Sequence, residues 1–417
     1  MDRRIILFFY LFVRVCQPYT LNDTDTLRAD LLDNYNSDTR GNMDQTRPTN
    51  LRVQFFFYNI NEFDEVLGIF SVTGFFYFYW TDERMIWDPQ RYNGTTKITF
   101  PATKIWTPTI LLGNSNDESE IQSLGYDWLN VRFDANGTAS WSPGAMFKSF
   151  CKPDVIEYPY DTQICSLNFI PWGHDPGEIR FTPLSQHVNM DLYMESGLWE
   201  IINTSVTTME VPIEADTFQL LVLSFSLKRR ALFYLMNMIL PIAVMGGLNL
   251  FVFILPHESG ERIGYSITLL LAICVYLTIA SDNLPQSSFP SVSLLCAKLF
   301  FDMIISSFVL LFTILGLRCY HTDSAVRVPS CLVLLTKCVL CKCCITRERV
   351  EEPSVVEHEH EKERNNTSNR NQTDINKNER RVTWTDVGKA SDVVFFCITF
   401  LAFTSSHLTY YLFLKFT

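Results

Sequence analysis

Cys151-Lys-Pro-Asp-Val-Ile-Glu-Tyr-Pro-Tyr-Asp-Thr-Gln-Ile-Cys165 lies within the first, more polar half of a 417-residue chain. Of twelve cysteines, only these two fall between residue 20 and the first long apolar run. In an oxidising compartment they can pair, and closing a loop of about 15 residues is worth roughly 3 kcal/mol in the chain-entropy picture. The alternative, two free buried thiols, fits an extracellular setting poorly.

The N-terminus supplies that setting. Arg3 and Arg4 precede the apolar run Ile5 to Val13, which is too short to cross a bilayer and reads as a secretory signal over residues 1–19. A buried first strand is the competing reading. From 20 to 230 short apolar and polar runs alternate. Leu51-Arg-Val-Gln-Phe-Phe-Phe-Tyr58, Phe75-Phe-Tyr-Phe-Tyr-Trp80 and Phe218-Gln-Leu-Leu-Val-Leu-Ser-Phe225 read as strands, punctuated by Asn93-Gly94, Asn136-Gly137 and Pro143-Gly144. This predicts an extracellular β-sandwich of immunoglobulin-like topology, with a short helix around Thr26 to Asn34 before the first strand.

The composition then changes. Leu232 to Leu255 has no charged residue, and Ile263 to Ser281 is a second uncharged stretch. A third runs from about Pro290 to Leu317 with Lys298 and Asp302 inside it, and a fourth from Val393 to Leu414. Each is long enough to span a membrane as a helix. The expected organisation is a multi-domain membrane protein: a four-helix bundle with three spans over 231–318, an intracellular loop over 319–390, and the fourth span with a short outer tail over 391–417. That loop reads as largely disordered, with a helix before the last span. Arg347, Arg349, Arg380 and Arg381 fall in it, as the positive-inside tendency asks. Both termini are then outside. Sequons at Asn22, Asn93, Asn136 and Asn203 are expected to carry glycans, while those at Asn365, Asn366 and Asn371 stay bare.

A formal charge of −11 excludes the basic footprint of a nucleic-acid binder and suits a surface that gathers cations. Cys331, Cys338, Cys341, Cys343 and Cys344 follow the third span without a clean zinc spacing; acylation beside the membrane, or plain reduced thiols, fits better. No nucleophilic constellation is present, so no enzyme, metal or cofactor is expected.

The loop from Cys151 to Cys165, with 13 residues between the cysteines and an aromatic-Pro-aromatic-Asp centre, resembles the signature of Cys-loop receptors, the pentameric ligand-gated ion channels. Trp80-Thr-Asp82, Trp106-Thr-Pro108, Pro143 to Cys151, Trp172, Lys228-Arg-Arg230, Pro241 and Glu258-Ser-Gly-Glu-Arg262 extend the likeness over nearly the whole chain, and nicotinic acetylcholine-type subunits are the most similar branch. The resemblance implies five subunits around an axial pore in the plasma membrane, and it allows a postsynaptic site. A homopentamer or a heteropentamer with four further subunits, a small-molecule agonist between neighbours, permeant monovalent cations and the lipid bilayer are the implied partners.

In the second span Gly264, Thr268, Leu271, Val275, Thr278 and Asp282 recur at steps of 4, 3, 4, 3 and 4, so they share one helix face. Intervening Ile267, Leu270, Ile273 and Leu277 are free to pack against other spans. A small polar stripe also packs membrane helices together, so the pattern alone leaves two readings; the flanking Ser-Gly-Glu-Arg motif favours the pore. Glu261 and Asp282 would then form carboxylate rings that select cations. Arg262, by the resemblance, points away from the lumen.

The resemblance also assigns Tyr158, Pro159, Tyr160 and Asp161, with Arg229 and Pro285, to coupling between the outer domain and the pore. Trp172 holds the position of the central tryptophan of a cation-binding aromatic box, and Phe75 that of a complementary-face tryptophan. Trp106, Gly113 and Phe218 are further positions for the ligand. The other expected walls are missing. Gly113 stands where a tyrosine is usual, Thr109 where an acid is usual, and the stretch from Asn203 to Thr217 has neither cysteine nor tyrosine. The second hypothesis is therefore a non-conducting binding or assembly subunit that needs a partner chain.

Overall fold

Alternating burial builds the first part of the chain. In β1 (Thr49–Asp64), Leu51, Val53, Phe55 and Phe57 are buried while Arg52 and Tyr58 face outward. It pairs antiparallel with β2 (Ile69–Ile86), which buries Phe70, Val72, Phe76, Phe78 and Trp80. The structure is a computed structural model that describes residues 20–116, 123–213, 216–282, 284, 293–323, 326–340 and 382–416. It divides into two units, 1–232 with 283–292, and 233–282 with 293–417. The expected signal segment, Pro285, the three bare sequons, Cys341, Cys343, Cys344 and the basic cluster lie outside the described residues.

The remaining strands of the first unit are β3 (Lys97–Pro101), β4 (Ile110–Leu112), β5 (Asn130–Asp134), β6 (Asn136–Trp141), β7 (Gly144–Phe150), β8 (Thr162–Pro171), β9 (Ile179–Pro183), β10 (Trp199–Ile213) and β11 (Asp216–Arg229). One sheet has the order β3-β5-β6-β2-β1-β9 with β7 also on β2, and the other β10-β11-β8-β4. All described pairs are antiparallel except β1 with β9. The expected β-sandwich is thus observed.

Phenylalanines join the two sheets: Phe76 meets Phe169 at 4.8 Å, and Phe57 meets Phe225 at 5.1 Å. Each fully buried ring contributes roughly 2 kcal/mol by area, against about 0–1 kcal/mol for an exposed ion pair, so this cluster dominates the unit's stability. Gly74 on β2 is needed for the fit, since a Cβ there would sit 2.3 Å from the Phe55 ring.

The N-terminal helix α1 runs over Leu21–Leu32, several residues earlier than the sequence suggested. Its start is set by a capping box, with the Thr20 amide donating to the Asp23 carboxylate at 2.7 Å and the Asp23 amide donating to the Thr20 hydroxyl.

The second unit contains four helices long and apolar enough to cross a membrane: α2 (Leu232–Phe251), α3 (Arg262–Asp282), α4 (Leu294–Tyr320) and α6 (Trp384–Phe416). A shorter helix, α5 (Ser330–Val339), follows α4 and packs against α6. Within α2 a π-helical turn over Leu235–Ile239 ends two residues before Pro241. Proline lacks an amide hydrogen and its ring crowds the preceding turn, so local widening is the expected relief. The expected pre-span helix and the fourth span form one unbroken helix, because Thr383 and Asp386 cap a helix that starts at Trp384, nine residues before Val393. The two charges inside the third span sit one turn apart: Lys298 donates to Asp302 and both are buried.

Candidate functional site

The disulfide Cys151–Cys165 is present, with its Cα atoms 5.2 Å apart. Between the cysteines the chain turns through a cis Tyr158–Pro159 peptide bond. Tyr158, Pro159 and Asp161 are buried, whereas Tyr160 is 44% exposed. β11 ends at Arg229, one residue before its exposed neighbour Arg230, and Arg229 turns inward. Its Nε donates to Asp161 Oδ1 at 2.7 Å and its Nη2 to Asp161 Oδ2 at 3.0 Å. Glu65, at the end of β1, completes the pairing. Gln163 donates to Asp161 as well. The guanidinium also lies 4.2 Å from the Trp199 ring and 4.8 Å from that of Tyr158.

Burial works against the Arg229 charge, but hydrogen bonds and attraction from Asp161 and then Glu65 more than offset it. Its pKa is therefore pushed above the usual arginine range. Tyr158, Asp161 and Arg229 are thus brought together in one cluster. Glu65 and Trp199 were not foreseen; Glu65 is one of three acids between residues 62 and 65, and only the fold shows which of them meets Arg229.

In α3 the six positions of the proposed stripe, Gly264, Thr268, Leu271, Val275, Thr278 and Asp282, are all exposed, as is Glu261. Leu271 is 62% and Val275 50% exposed. The buried residues Arg262, Ser266, Leu269, Ile273 and Ala280 lie on the opposite side, about 160° around the helix at 100° per residue. Leu270 and Leu277 are half-buried, while Ile267 is exposed in the single chain. Thr268 and Thr278 donate to the carbonyls of Gly264 and Cys274.

Arg262 faces away from the stripe. It forms a bidentate pair with Asp392 of α6, 3.0 Å on each arm, and its Nε donates to the Leu255 carbonyl at 2.6 Å. The Tyr320 hydroxyl, at the end of α4, donates to Asp392 at 2.9 Å. This anchor of α3 was missed. The available signal was a single acid at the mouth of the fourth apolar run, since an ionisable group at membrane depth rarely lacks a partner.

The positions for a ligand divide between the sheets. Trp172 directly follows β8; its amide donates to the Thr109 carbonyl at 2.9 Å and its indole is 56% exposed. The Gly113 amide donates to the Asn168 carbonyl at 2.7 Å, and a Cβ on Gly113 would come within 2.5 Å of Ile170. Any side chain at position 113 would therefore require Ile170 to shift. Phe218 is half-buried near the end of the β10–β11 hairpin, opposite Val211. These three belong to the four-stranded sheet or its edge. Phe75 belongs to the other sheet, stacked on Phe56 at 5.0 Å and edge-on to Tyr77 at 5.8 Å. Trp106 turns into the core, edge-on to Trp80 at 5.8 Å and 6% exposed, so it shapes the sandwich and forms no outward wall. The four sequon asparagines Asn22, Asn93, Asn136 and Asn203 are exposed.

Two family models match. That of the neurotransmitter-gated ion-channel ligand binding domain covers residues 24–231, and that of the neurotransmitter-gated ion-channel transmembrane region covers 238–394. The chain is 30% identical over 302 residues to the human neuronal acetylcholine receptor subunit alpha-6, covering 72% of this chain and 60% of that one. It is 34% identical over 242 residues to the bovine neuronal acetylcholine receptor subunit beta-4, covering 58% and 48%. It is 30% identical over 328 residues to the Caenorhabditis elegans acetylcholine receptor subunit beta-type acr-3, covering 78% and 65%. The chain thus spans between about half and two thirds of the length of these relatives. With both family models matching in order, and with the sandwich, the disulfide loop and four membrane-length helices in place, the chain belongs to the neurotransmitter-gated ion-channel family, whose members are channels and not enzymes.

Proposed function

We propose that this chain is a subunit of a pentameric, cation-selective ligand-gated channel in which five copies of α3 line the pore. The observation that carries this reading is the two-sidedness of α3. Its exposed stripe runs from Glu261 to Asp282, while its only buried cation, Arg262, is neutralised on the opposite side by Asp392. Five such stripes make a carboxylate ring at each end, small polar rings at Gly264 and Thr268, and apolar rings at Leu271 and Val275 that close by dewetting. The sandwich and the N- and C-termini lie outside the plasma membrane, the four exposed sequons carry glycans, and the α4–α6 connection is cytoplasmic.

Trp172 on one sheet and Phe75 on the other suit a ligand held between neighbouring subunits, and Tyr158, Pro159, Tyr160, Asp161, Arg229 and Pro285 suit transmission of its binding to the pore. The ligand is a small molecule, and acetylcholine suits the site poorly, since Gly113 supplies no aromatic wall and the stretch from Asn203 to Thr217 has neither tyrosine nor cysteine. The same feature supports the second reading, an assembly subunit whose missing walls come from a partner chain.

Expression in oocytes with a screen of amines, amino acids, protons and divalent cations tests both readings. Currents whose reversal follows sodium and potassium support the first. Reversal that follows chloride sinks the cation claim. A chain that reaches the surface only with a related subunit supports the second.

A further inference from the structure

Beyond the channel reading, the geometry points to Cys331 and Cys338 of α5 as paired S-acylation sites that fix this helix to the membrane surface. Both thiols are free and exposed. Along α5, Ser330 at the first position is exposed, and after it Cys331, Leu334, Leu335 and Cys338, the last four at a spacing of 3, 1 and 3. At 100° per residue these four occupy one arc of about 100°. Thr336, the buried residue of α5, lies outside that arc, and the helix packs on α6. The outward face thus consists of two leucines bracketed by two thiols, with no charge; Lys337 lies to one side.

The position is fixed as well as the face. Nine residues, 321–329, separate α5 from the end of α4, a membrane-length helix. The Trp384 indole at the start of α6 donates to the Val326 carbonyl at 2.9 Å and ties that connection down. The neighbouring long helices expose Phe308, Leu311 and Leu315 on α4 and Ile398 and Leu401 on α6. Such faces need lipid, and the α5 stripe continues the same demand within a few residues of the span. Arg318, in the last turn of α4, and Arg327 both precede the helix and suit an anionic lipid surface.

The co-substrate is a long-chain fatty acyl thioester. The cysteine thiolate attacks its carbonyl carbon, a new C–S bond forms as the old one breaks, and the carrier sulfur leaves as a thiolate that takes up the proton the cysteine gave up. Two chains on one face matter, because a single acyl chain holds a protein to a bilayer only reversibly and two hold it stably.

The inference rests on the cytoplasmic placement of the α4–α6 connection proposed above, and the test separates the two. The full-length chain is expressed in animal cells and purified without thiol reductants. Free thiols are blocked with a maleimide, thioesters are cleaved with neutral hydroxylamine, and the released thiols are labelled. Trypsin yields Val328–Lys337, which holds Cys331 alone; Cys338 is read in a Cys341→Ser background. The expected result is hydroxylamine-dependent label on both, lost at each position in Cys331→Ser and Cys338→Ser, with surface expression unchanged. Maleimide on both thiols with Asn365, Asn366 and Asn371 free of glycan overturns the acylation and leaves the orientation standing. Glycan on those asparagines overturns the orientation and the acylation together.

Discussion

The side chains of Arg229 and Asp161 meet at 2.7 and 3.0 Å with only 1% and 2% of their surfaces exposed. Removing one partner from such a pair leaves an uncompensated buried charge, which costs roughly 3–5 kcal/mol. Arg229→Ala strands both Asp161 and Glu65, so it is expected to lower the melting temperature of the purified protein and its surface level. Arg229→Lys should recover little, because an ammonium cannot fork between two carboxylate oxygens. Wild-type melting in Arg229→Ala would show that the cluster carries no structural weight.

Tyr35 is a second, half-buried node. Its hydroxyl donates to Asp82 at 2.7 Å and accepts from the Trp106 amide at 3.1 Å and from Arg84 at 2.9 Å. Tyr35→Phe leaves Asp82 and the Trp106 amide short of a partner, a loss of roughly 1–3 kcal/mol. The pH dependence has a definite sign. Burial, and then the negative Asp82, push the Tyr35 hydroxyl above the ordinary tyrosine range. The folded state therefore keeps a proton that the unfolded chain loses above about pH 10. That contribution is complete below about pH 10 and declines as pH rises further. Melting curves at pH 8 and pH 11 should differ less for Tyr35→Phe than for the parent chain; equal differences would remove the claim.

The anchor of α3 gives a third prediction. Asp392→Asn keeps the shape of the side chain but removes the charge that neutralises Arg262, which is 4% exposed and bound to two backbone carbonyls as well. Because Arg262 stays charged, the cost is again roughly 3–5 kcal/mol. Detergent-solubilised Asp392→Asn should melt earlier, and Asp392→Glu should recover part of the loss. A reversed order of the two variants would contradict a geometric role for the carboxylate.

What the sequence disclosed follows its periodicities. The period of two in Leu51 to Phe57 and the steps of four and three from Gly264 to Asp282 both survive in the burial pattern, because each element hides one face whatever its neighbours are. Pairings between elements were legible only where a motif named both partners, as for Asp161 and Arg229. Glu65, Trp199, Asp392 and Tyr320 carried no such mark, since their partners lie between 30 and 164 positions away in the chain. The ends of α1 and α6 were misjudged because capping boxes at Thr20 and Thr383 extend helices through polar residues that apolar periodicity ignores.

Leu271 is the point at which the proposed pore is most open to test. Its side chain is 62% exposed on α3, at the centre of the stripe, with Val275 one turn further on. If five copies face a common axis, they form an apolar ring that water leaves when the pore is narrow. Leu271→Ser places hydroxyls there, wets the constriction and lowers the barrier to conduction. Oocytes expressing the variant should show a standing current without agonist, blocked by a large cationic pore blocker, while Ile273→Ser, on the buried side, should instead reduce surface expression. The buried substitution is expected to cost roughly 2–5 kcal/mol in lost packing and an added polar group. A standing current from Ile273→Ser and none from Leu271→Ser would place the lumen on the other side of the helix.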